Sequence, residues 1–272
     1  MKDKKKCVVI LPIHSEHPTQ EELISFKQCF DVLHNHDLKV LVPRGLKMDA
    51  YTAIVSNFEK IEIDPKWQRS LKMYNKLKLS NFFYDLFSSY DYLLTYELDA
   101  FVFQDDLSYW MDKEYDYIGA PWFVGYENPI DNQFLAVGNS GFSLRNIKSM
   151  KKAINSIYFK EYDYYKVKRK ERFLSYVLLP LNYFLLFIGK NQTIQNAMHL
   201  NEDWFISTII KDHIPSFKIA TIDDAVKFSF EVNAKFLYEK NNFTLPTGCH
   251  AWQKYEFDFW KPHIESFGHL LK

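Results

Sequence analysis

The chain has 272 residues, which is enough for one large domain or two closely fused halves, and a single unit is expected. Its formal net charge is zero, so no overall positive field attracts nucleic acid, and a nucleic-acid partner is not expected. Three cysteines, an odd number without C-x-x-C spacing, favour a reducing cytoplasm. The apolar stretch after the basic N-terminus meets Pro12 too early for a signal peptide, which also favours a cytoplasmic location.

Apolar strands and helically spaced segments alternate through roughly the first hundred residues. In chain order the patterns predict a strand at 7–11, a helix at 21–33, strands at 38–42 and 61–63, a long helix at 70–87, and a strand at 91–97. Shorter segments follow at 117–122 and 137–145, and then a helix at 146–157. This alternation predicts an α/β fold with a Rossmann-like, mainly parallel sheet and helices on both faces.

The strand predicted at 91–97 ends on the acid triplet Glu97-Leu98-Asp99. Ligands of open α/β sheets bind at the carboxyl ends of the strands, and two acids there can hold a hard divalent cation together with a diphosphate. The pattern therefore suggests a nucleotide-sugar site. An ordinary strand end is an equally good interpretation, with Glu97 in water and Asp99 capping the next turn.

Two glycines enclose Asn139 and Ser140 in the sequence Gly138-Asn139-Ser140-Gly141. Glycines at such positions allow the backbone to approach a ligand closely, although an ordinary tight turn also explains them.

Two later segments contain residues that could act as a general base or bind a metal. Glu202 and Asp203 are adjacent at a predicted helix start, where capping accounts for one acid and the other is free to act as a general base. His250 follows Thr247-Gly248-Cys249, and it is either a structural histidine or an imidazole that completes a metal site begun by Asp99.

An almost wholly apolar run at 173–189 follows a basic stretch that begins at Lys166. Pro180 interrupts the run, which is short for a membrane span. It is either an amphipathic element on an anionic membrane surface or a buried helical hairpin with a charged lead-in.

Five motifs occur together in a fixed order, and as a set they are more specific than any of them alone. They are the strand end at Asp99, 116–122 (DYIGAPW), 137–145 (VGNSGFSLR), 201–203 (NED) and 248–252 (GCHAW). Over residues 8–262 this set resembles a little-characterised glycosyltransferase family of the GT-A type. The insertion at 173–189 is not part of that resemblance.

The resemblance implies a single GT-A-like domain that binds a nucleotide diphosphate sugar, most often a UDP-sugar, through Mn²⁺ or Mg²⁺. Residues 1–115 would form the nucleotide-sugar-binding half, and residues 116–272 the acceptor-binding half with a basic and apolar insert at 165–190. The acceptor would be a glycan or a lipid-linked acceptor, in surface polysaccharide or glycolipid assembly. Peripheral contact with the inner face of the cell membrane through 165–190 would suit a lipid-linked acceptor.

The resemblance also implies roles for individual residues. Asp99, His250 and Glu97 would hold the metal, Asp203 or Glu202 would be the catalytic base, and Gly138, Asn139, Ser140 and Gly141 would lie against the donor sugar or acceptor. His14, Arg44, Lys72 and Asn75 are candidate nucleotide contacts; an exposed surface position is the alternative for Arg44 and for the helix residues Lys72 and Asn75.

The function predicted is transfer of a sugar to an acceptor hydroxyl, with inversion by direct displacement. A nucleotidyltransferase also pairs strand-end acids with a metal, but it commonly carries a glycine-rich basic loop near the N-terminus, and 8–17 contains none. A non-catalytic sugar- or nucleotide-binding relative is the other alternative.

Overall fold

The computed structural model describes residues 5–155 and 201–271, together with positions 177, 180, 181, 184, 187 and 188. The strands are β1 Cys7–Pro12, β2 Asp37–Pro43, β3 Glu59–Ile63, β4 Tyr92–Tyr96, β5 Phe101–Val102, β6 Tyr117–Ile118, β7 Ala120–Phe123, β8 Phe134–Gly138, β9 Phe142–Asn146, β10 Ser229–Phe230 and β11 Gly248–Cys249. The α-helices are α1 Gln20–Val32, α2 Asp49–Thr52, α3 Leu71–Lys78, α4 Asn81–Asp85, α5 Leu107–Asp112, α6 Ile147–Ile154, α7 Glu202–Trp204, α8 Lys211–His213, α9 Ile222–Phe228, α10 Ala234–Lys240 and α11 Phe257–Glu265. A 3-10 helix covers Pro65–Trp67, and a π-helical stretch, Phe205–Ile210, joins α7 to α8.

The main sheet has six strands in the order β3-β2-β1-β4-β9-β6. Its first four strands run parallel, whereas β9 is antiparallel to both β4 and β6. The predicted α/β fold with a mainly parallel sheet is confirmed. Strands from both predicted halves build this one sheet, because β1–β4 precede residue 115 and β6 and β9 follow it.

Side chains alternate between the two faces of the sheet and bury a separate core on each. Val9 and Leu11 of β1 join one hydrophobic cluster with Phe26 of α1. Val8 and Ile10 point to the other face and join a second cluster, which includes residues of α3, α4 and α6. Both faces are therefore covered, as the near-continuous apolar sequence of parallel strands requires.

The long helix predicted at 70–87 is wrong, because the segment forms two helices, α3 and α4. The hydroxyl of Ser80 caps α4 by accepting a hydrogen bond from the Phe83 N–H, and it donates to the carbonyl of Leu77 at the end of α3. Ser80 thus ends one helix and begins the next. Helical spacing of apolar residues continues across such a break, so periodicity alone did not reveal it.

All three cysteines are buried and free, and the cytoplasmic location expected from their number and spacing stays a prediction. Most of the insert at 165–190, including the basic lead-in, lies outside the described residues, so membrane contact through it stays a prediction. In the described part of the chain, no helix combines the length and the apolar character needed to cross a bilayer.

Candidate functional site

A small sheet beside the carboxyl end of β4 brings together side chains that are far apart in the sequence. Strand β11 pairs parallel with β10 and antiparallel with β5. His250 directly follows β11, Glu231 directly follows β10, and Asp99 lies just before β5. The pairing therefore places an imidazole and two carboxylates at one edge, next to Glu97 at the end of β4.

Glu97, Asp99 and His250 form a compact cluster in which ligand atoms of all three lie within 4.8 Å of one another. His250 Nε2 is 3.1 Å from Asp99 Oδ1 and 3.9 Å from Glu97 Oε2. Two carboxylates and an imidazole are suitable ligands for Mn²⁺, and carboxylates are also suitable for Mg²⁺. The residues present thus fit the divalent cation that the sequence led us to expect.

Charges within the cluster shift the pKa values of its members. Burial would raise the pKa of Asp99, but the neighbouring His250 outweighs it and lowers the pKa. Burial would lower the pKa of His250, yet Asp99 and Glu231 hold it well above its usual value. Since a metal-bound imidazole is neutral, a cation bound by Nε2 would take the place of the proton on that nitrogen.

Glu231 was not identified from the sequence, although it contacts the cluster directly. Its Oε1 lies 3.1 Å from His250 Nδ1, so it orients the imidazole with Nε2 toward the two acids. Histidine ligands of metals commonly donate their second N–H to a carboxylate in this way. The position after β10 was the only sequence signal, and β10 itself was not predicted.

A cleft of about 550 Å³, the first cleft, opens beside Glu97 and Asp99. Its wall also includes Pro12, His14, Arg69, Ser70, Tyr74 and Gln253. Of the predicted nucleotide contacts, only His14 lines this cleft. The donors Arg69, Ser70 and Gln253 were missed because they lie in segments without a recognisable motif.

The other predicted nucleotide contacts lie elsewhere. Arg44 and Lys72 are exposed and do not line this first cleft. Asn75 is buried and donates a hydrogen bond of 3.1 Å to the Asn201 side chain. It therefore ties α3 to the segment that carries the two adjacent acids.

A buried ion network lies behind the cluster, and Glu202 is at its centre. The Glu202 carboxylate is 2.6 Å from Arg145 Nη2 and 3.2 Å from Lys78 Nζ, and all three side chains are at most 1% exposed. Ser140 donates to the same carboxylate over 3.0 Å, and Lys78 also lies 3.4 Å from Glu97. Burial would raise the pKa of Glu202, but Lys78 and Arg145 outweigh it and lower the pKa to about 2.

Asp203 is in the opposite electrostatic situation, although it is the next residue. Burial, and then the negative charge of Glu202, raise the pKa of Asp203 to about 7. Since Glu202 is permanently ionised and internally paired, only Asp203 of the two predicted bases can exchange a proton near neutral pH. The π-helical stretch begins two residues later; such irregularities are frequent at functional sites.

Asp203 lines a second cleft of about 480 Å³. Glu231 lines the same cleft and contacts His250, so the second cleft adjoins the cluster on the side of the imidazole. Aromatic side chains form much of the remaining wall, namely Trp122, Phe123, Tyr126, Trp204 and Tyr255.

Three of the four residues of the loop Gly138–Gly141, all except Asn139, contact other residues of the site. A Cβ on Gly141 would lie 2.0 Å from His250 Nε2, and one on Gly138 would lie 2.2 Å from the Trp122 indole. Asn139 adopts a left-handed conformation (φ 79°), and its side chain closes the turn by accepting from the Gly141 N–H. None of the four loop residues lines the first or the second cleft, so their contact with a donor sugar or acceptor stays a prediction. The loop packs instead on residues of the site, namely Trp122, Glu202 and His250.

Residues 57–250 match the family described as "Protein of unknown function (DUF5672)". The matched region covers most of the chain and includes Glu97, Asp99, Asp203, Glu231 and His250. No curated protein matches the chain.

Three solved structures illustrate the similarity to known proteins. The galactosyltransferase LgtC in complex with donor and acceptor sugar analogs is 13% identical over 97% of this chain and 98% of its own, with a TM-score of 0.47. Mouse xyloside xylosyltransferase 1 is 12% identical over 90% of this chain and 97% of its own, also with a TM-score of 0.47. Core-mannan synthase A from Aspergillus fumigatus, in its Mn/GDP form, is 11% identical over 74% of this chain and 71% of its own, with a TM-score of 0.39.

Replacing Lys78 by methionine should lower the free energy of unfolding by about 3–5 kcal/mol, because one of the two cations that neutralise the buried Glu202 is lost. Urea denaturation measures this change. Lys39→Met is the matched control, since Lys39 pairs with the largely exposed Glu59, and it should cost less than about 1 kcal/mol. Equal losses in the two variants would contradict the role assigned to Lys78.

Asp203→Asn should stabilise the protein above neutral pH. An aspartate with a raised pKa keeps its proton in the folded state while the unfolded chain releases it, so stability falls as pH rises from about 4 to about 7. Asparagine does not titrate, so the free energy of unfolding of the variant does not fall in this way. The variant should be more stable than the wild type by roughly 1–3 kcal/mol at pH 8. Denaturation curves at pH 5 and pH 8 test this, and an advantage that does not grow with pH would refute it.

Proposed function

The chain belongs to the DUF5672 family, and from the geometry of its site we propose that it is a metal-dependent glycosyltransferase. The donor is a nucleotide diphosphate sugar, with a UDP-sugar as the first candidate, and the acceptor is a hydroxyl of a glycan or lipid-linked sugar. The observation that supports this most strongly is the Glu97, Asp99 and His250 cluster, which lies between two clefts at the carboxyl end of a parallel strand.

The first cleft is the proposed donor site. It borders both acids of the cluster, and Arg69, Ser70 and Gln253 provide hydrogen-bond donors for a nucleotide and its phosphates. A divalent cation bound by Glu97, Asp99 and His250 would neutralise the charge that develops on a departing nucleoside diphosphate. Glu231 holds the imidazole in the orientation that this requires.

The second cleft is the proposed acceptor site, and Asp203 is the proposed base. Its ionised carboxylate takes the proton of an acceptor hydroxyl while that oxygen bonds to the anomeric carbon and the bond to the diphosphate breaks. Attack from the side opposite the leaving group inverts the anomeric centre. A pKa of about 7 suits this role, because the carboxyl is substantially ionised at neutral pH and still basic enough to accept a proton.

The test begins with the thermal stability of the full chain, measured with a panel of nucleotides and nucleotide sugars, with and without Mn²⁺. A ligand at about a hundred times its dissociation constant adds roughly 2.7 kcal/mol of stability. We expect a metal-dependent shift with a nucleoside diphosphate sugar. No shift with any nucleotide would contradict the proposal, and turnover of a nucleoside triphosphate with release of pyrophosphate would favour a nucleotidyltransferase instead.

Asp99→Ala should weaken Mn²⁺ binding at least ~10-fold, or about 1.4 kcal/mol, because a cluster ligand is lost. It should also abolish the metal-dependent thermal shift and sugar transfer while the fold remains intact. Asp105→Ala is the matched control, since Asp105 also pairs with a histidine, His36, at 2.7 Å, outside the cluster. Wild-type turnover in Asp99→Ala would exclude the proposed metal site.

Asp203→Asn should lower turnover by about 10²–10⁴-fold and leave donor affinity unchanged, because the base acts on the acceptor. In the wild type, turnover should rise with pH through about 7 as Asp203 ionises. Asp223→Asn, at an exposed acid near the start of α9, is the control. An effect of Asp203→Asn confined to donor binding would rule out the assignment.

A further inference from the structure

The second cleft contains an aromatic surface that the proposed chemistry does not require. The indoles of Trp122 and Trp204 stack with ring centroids 5.9 Å apart and planes inclined by 19°. Tyr126 packs against both, with centroid distances of 6.0 Å to Trp122 and 5.6 Å to Trp204. These three rings, which we call the aromatic platform, line the same cleft as Asp203.

The backbone of β7 and β8 leaves room for the Trp122 indole of the aromatic platform. Trp122 lies on β7, which pairs antiparallel with β8, and the pairing shifts register between Trp122 and Phe123. The indole packs on Gly138 of β8 so closely that an added Cβ would lie 2.2 Å from it. A side chain at Gly138 would displace the indole, so the platform depends on this glycine.

Accessible aromatic surface also distinguishes the platform from the core. Trp122 and Trp204 are only partly buried, and Tyr126 is 44% exposed, whereas Trp110, Trp252 and Trp260 are at most 2% exposed. Large rings left accessible inside a concave cleft are typical of ligand-binding surfaces.

The polar groups of the cleft select among ligands that could stack there. Asp203 and Glu231 contribute carboxylates, and Asn201 and Tyr255 contribute further hydrogen-bonding groups. Carboxylates accept hydrogen bonds from hydroxyl groups but repel phosphates and other anions. The ligand that fits both features has an apolar face for the rings, hydroxyl groups at its edge and no negative charge.

We propose that the second cleft binds a neutral pyranose, which packs the C–H face of its ring on the aromatic platform and donates hydroxyl hydrogen bonds to Asp203 and Glu231. Calling this saccharide the acceptor rests on the proposed function. Its binding to the second cleft can be measured without any sugar transfer. The proposal defines the acceptor as an uncharged sugar unit, as opposed to a phosphorylated or carboxylated one.

The test uses saturation-transfer NMR on the full chain, with methyl β-D-glucopyranoside, methyl β-D-galactopyranoside, lactose and glucose 6-phosphate as probes. The wild type should bind at least one neutral saccharide, and glucose 6-phosphate should bind at least ~10-fold more weakly. Trp122→Ala should weaken neutral-saccharide binding at least ~10-fold, and Trp122→Phe should restore part of it. Tyr109→Ala, at a half-exposed tyrosine on α5, is the matched control and should bind as the wild type does.

Tyr126→Ala provides a second variant, since Tyr126 is exposed and its removal should leave folding intact even if Trp122→Ala does not fold. It should weaken the same saccharides. The proposal is overturned if no neutral saccharide binds the wild type, if the phosphorylated probe binds best, or if Tyr126→Ala and every folded Trp122 variant bind as the wild type does.

The Mn²⁺-dependent thermal shift with nucleotide sugars, measured on the same preparations, separates this proposal from the proposed function. A shift that is retained in Tyr126→Ala while saccharide binding is lost supports both. Saccharide binding without any nucleotide-sugar shift would refute the glycosyltransferase proposal and leave the second cleft as a saccharide site.

Discussion

The buried ion pairs of Glu202 constrain the whole site. A carboxylate without solvent exposure is stable only if cations compensate its charge, and Lys78 from α3 and Arg145 from β9 do so together. These contacts join the main sheet, the helix beside it and the start of α7 at one point. Ser140 hydrogen-bonds to the same carboxylate, so the loop Gly138–Gly141 is fixed by the same network.

This arrangement also gives two adjacent acids opposite pKa shifts. The cations that keep Glu202 ionised make its charge a permanent part of the environment of Asp203, which therefore holds its proton more tightly. A carboxyl with a raised pKa thus lies beside one with a lowered pKa, because of burial and the placement of neighbouring charges. The same charge would be far less effective if Glu202 were solvated.

The sequence predicted those parts of the molecule that depend on local patterns. Short apolar runs located β1, β2 and β4, and the triplet Glu97-Leu98-Asp99 marked the carboxyl end of β4. Glu231, Lys78 and Arg145 could not be found in this way, because each acquires its role from a partner at least 19 residues away, as the Lys78 pairing with Glu97 illustrates. The break between α3 and α4 was missed for a different reason: a single capping serine decides it, and the apolar spacing does not change there.

The two glycines of the loop Gly138–Gly141 constrain its length as well as its composition. Gly141 makes room for His250 on one side, and Gly138 makes room for Trp122 on the other, with only Asn139 and Ser140 between them. The chain therefore passes from the His250 imidazole to the Trp122 indole in a single tight turn, whose length sets the distance between the two contacts. Inserting one residue would shift the contact with His250 relative to the contact with Trp122, so the length of this turn ties the position of the metal-ligand cluster to that of the aromatic platform.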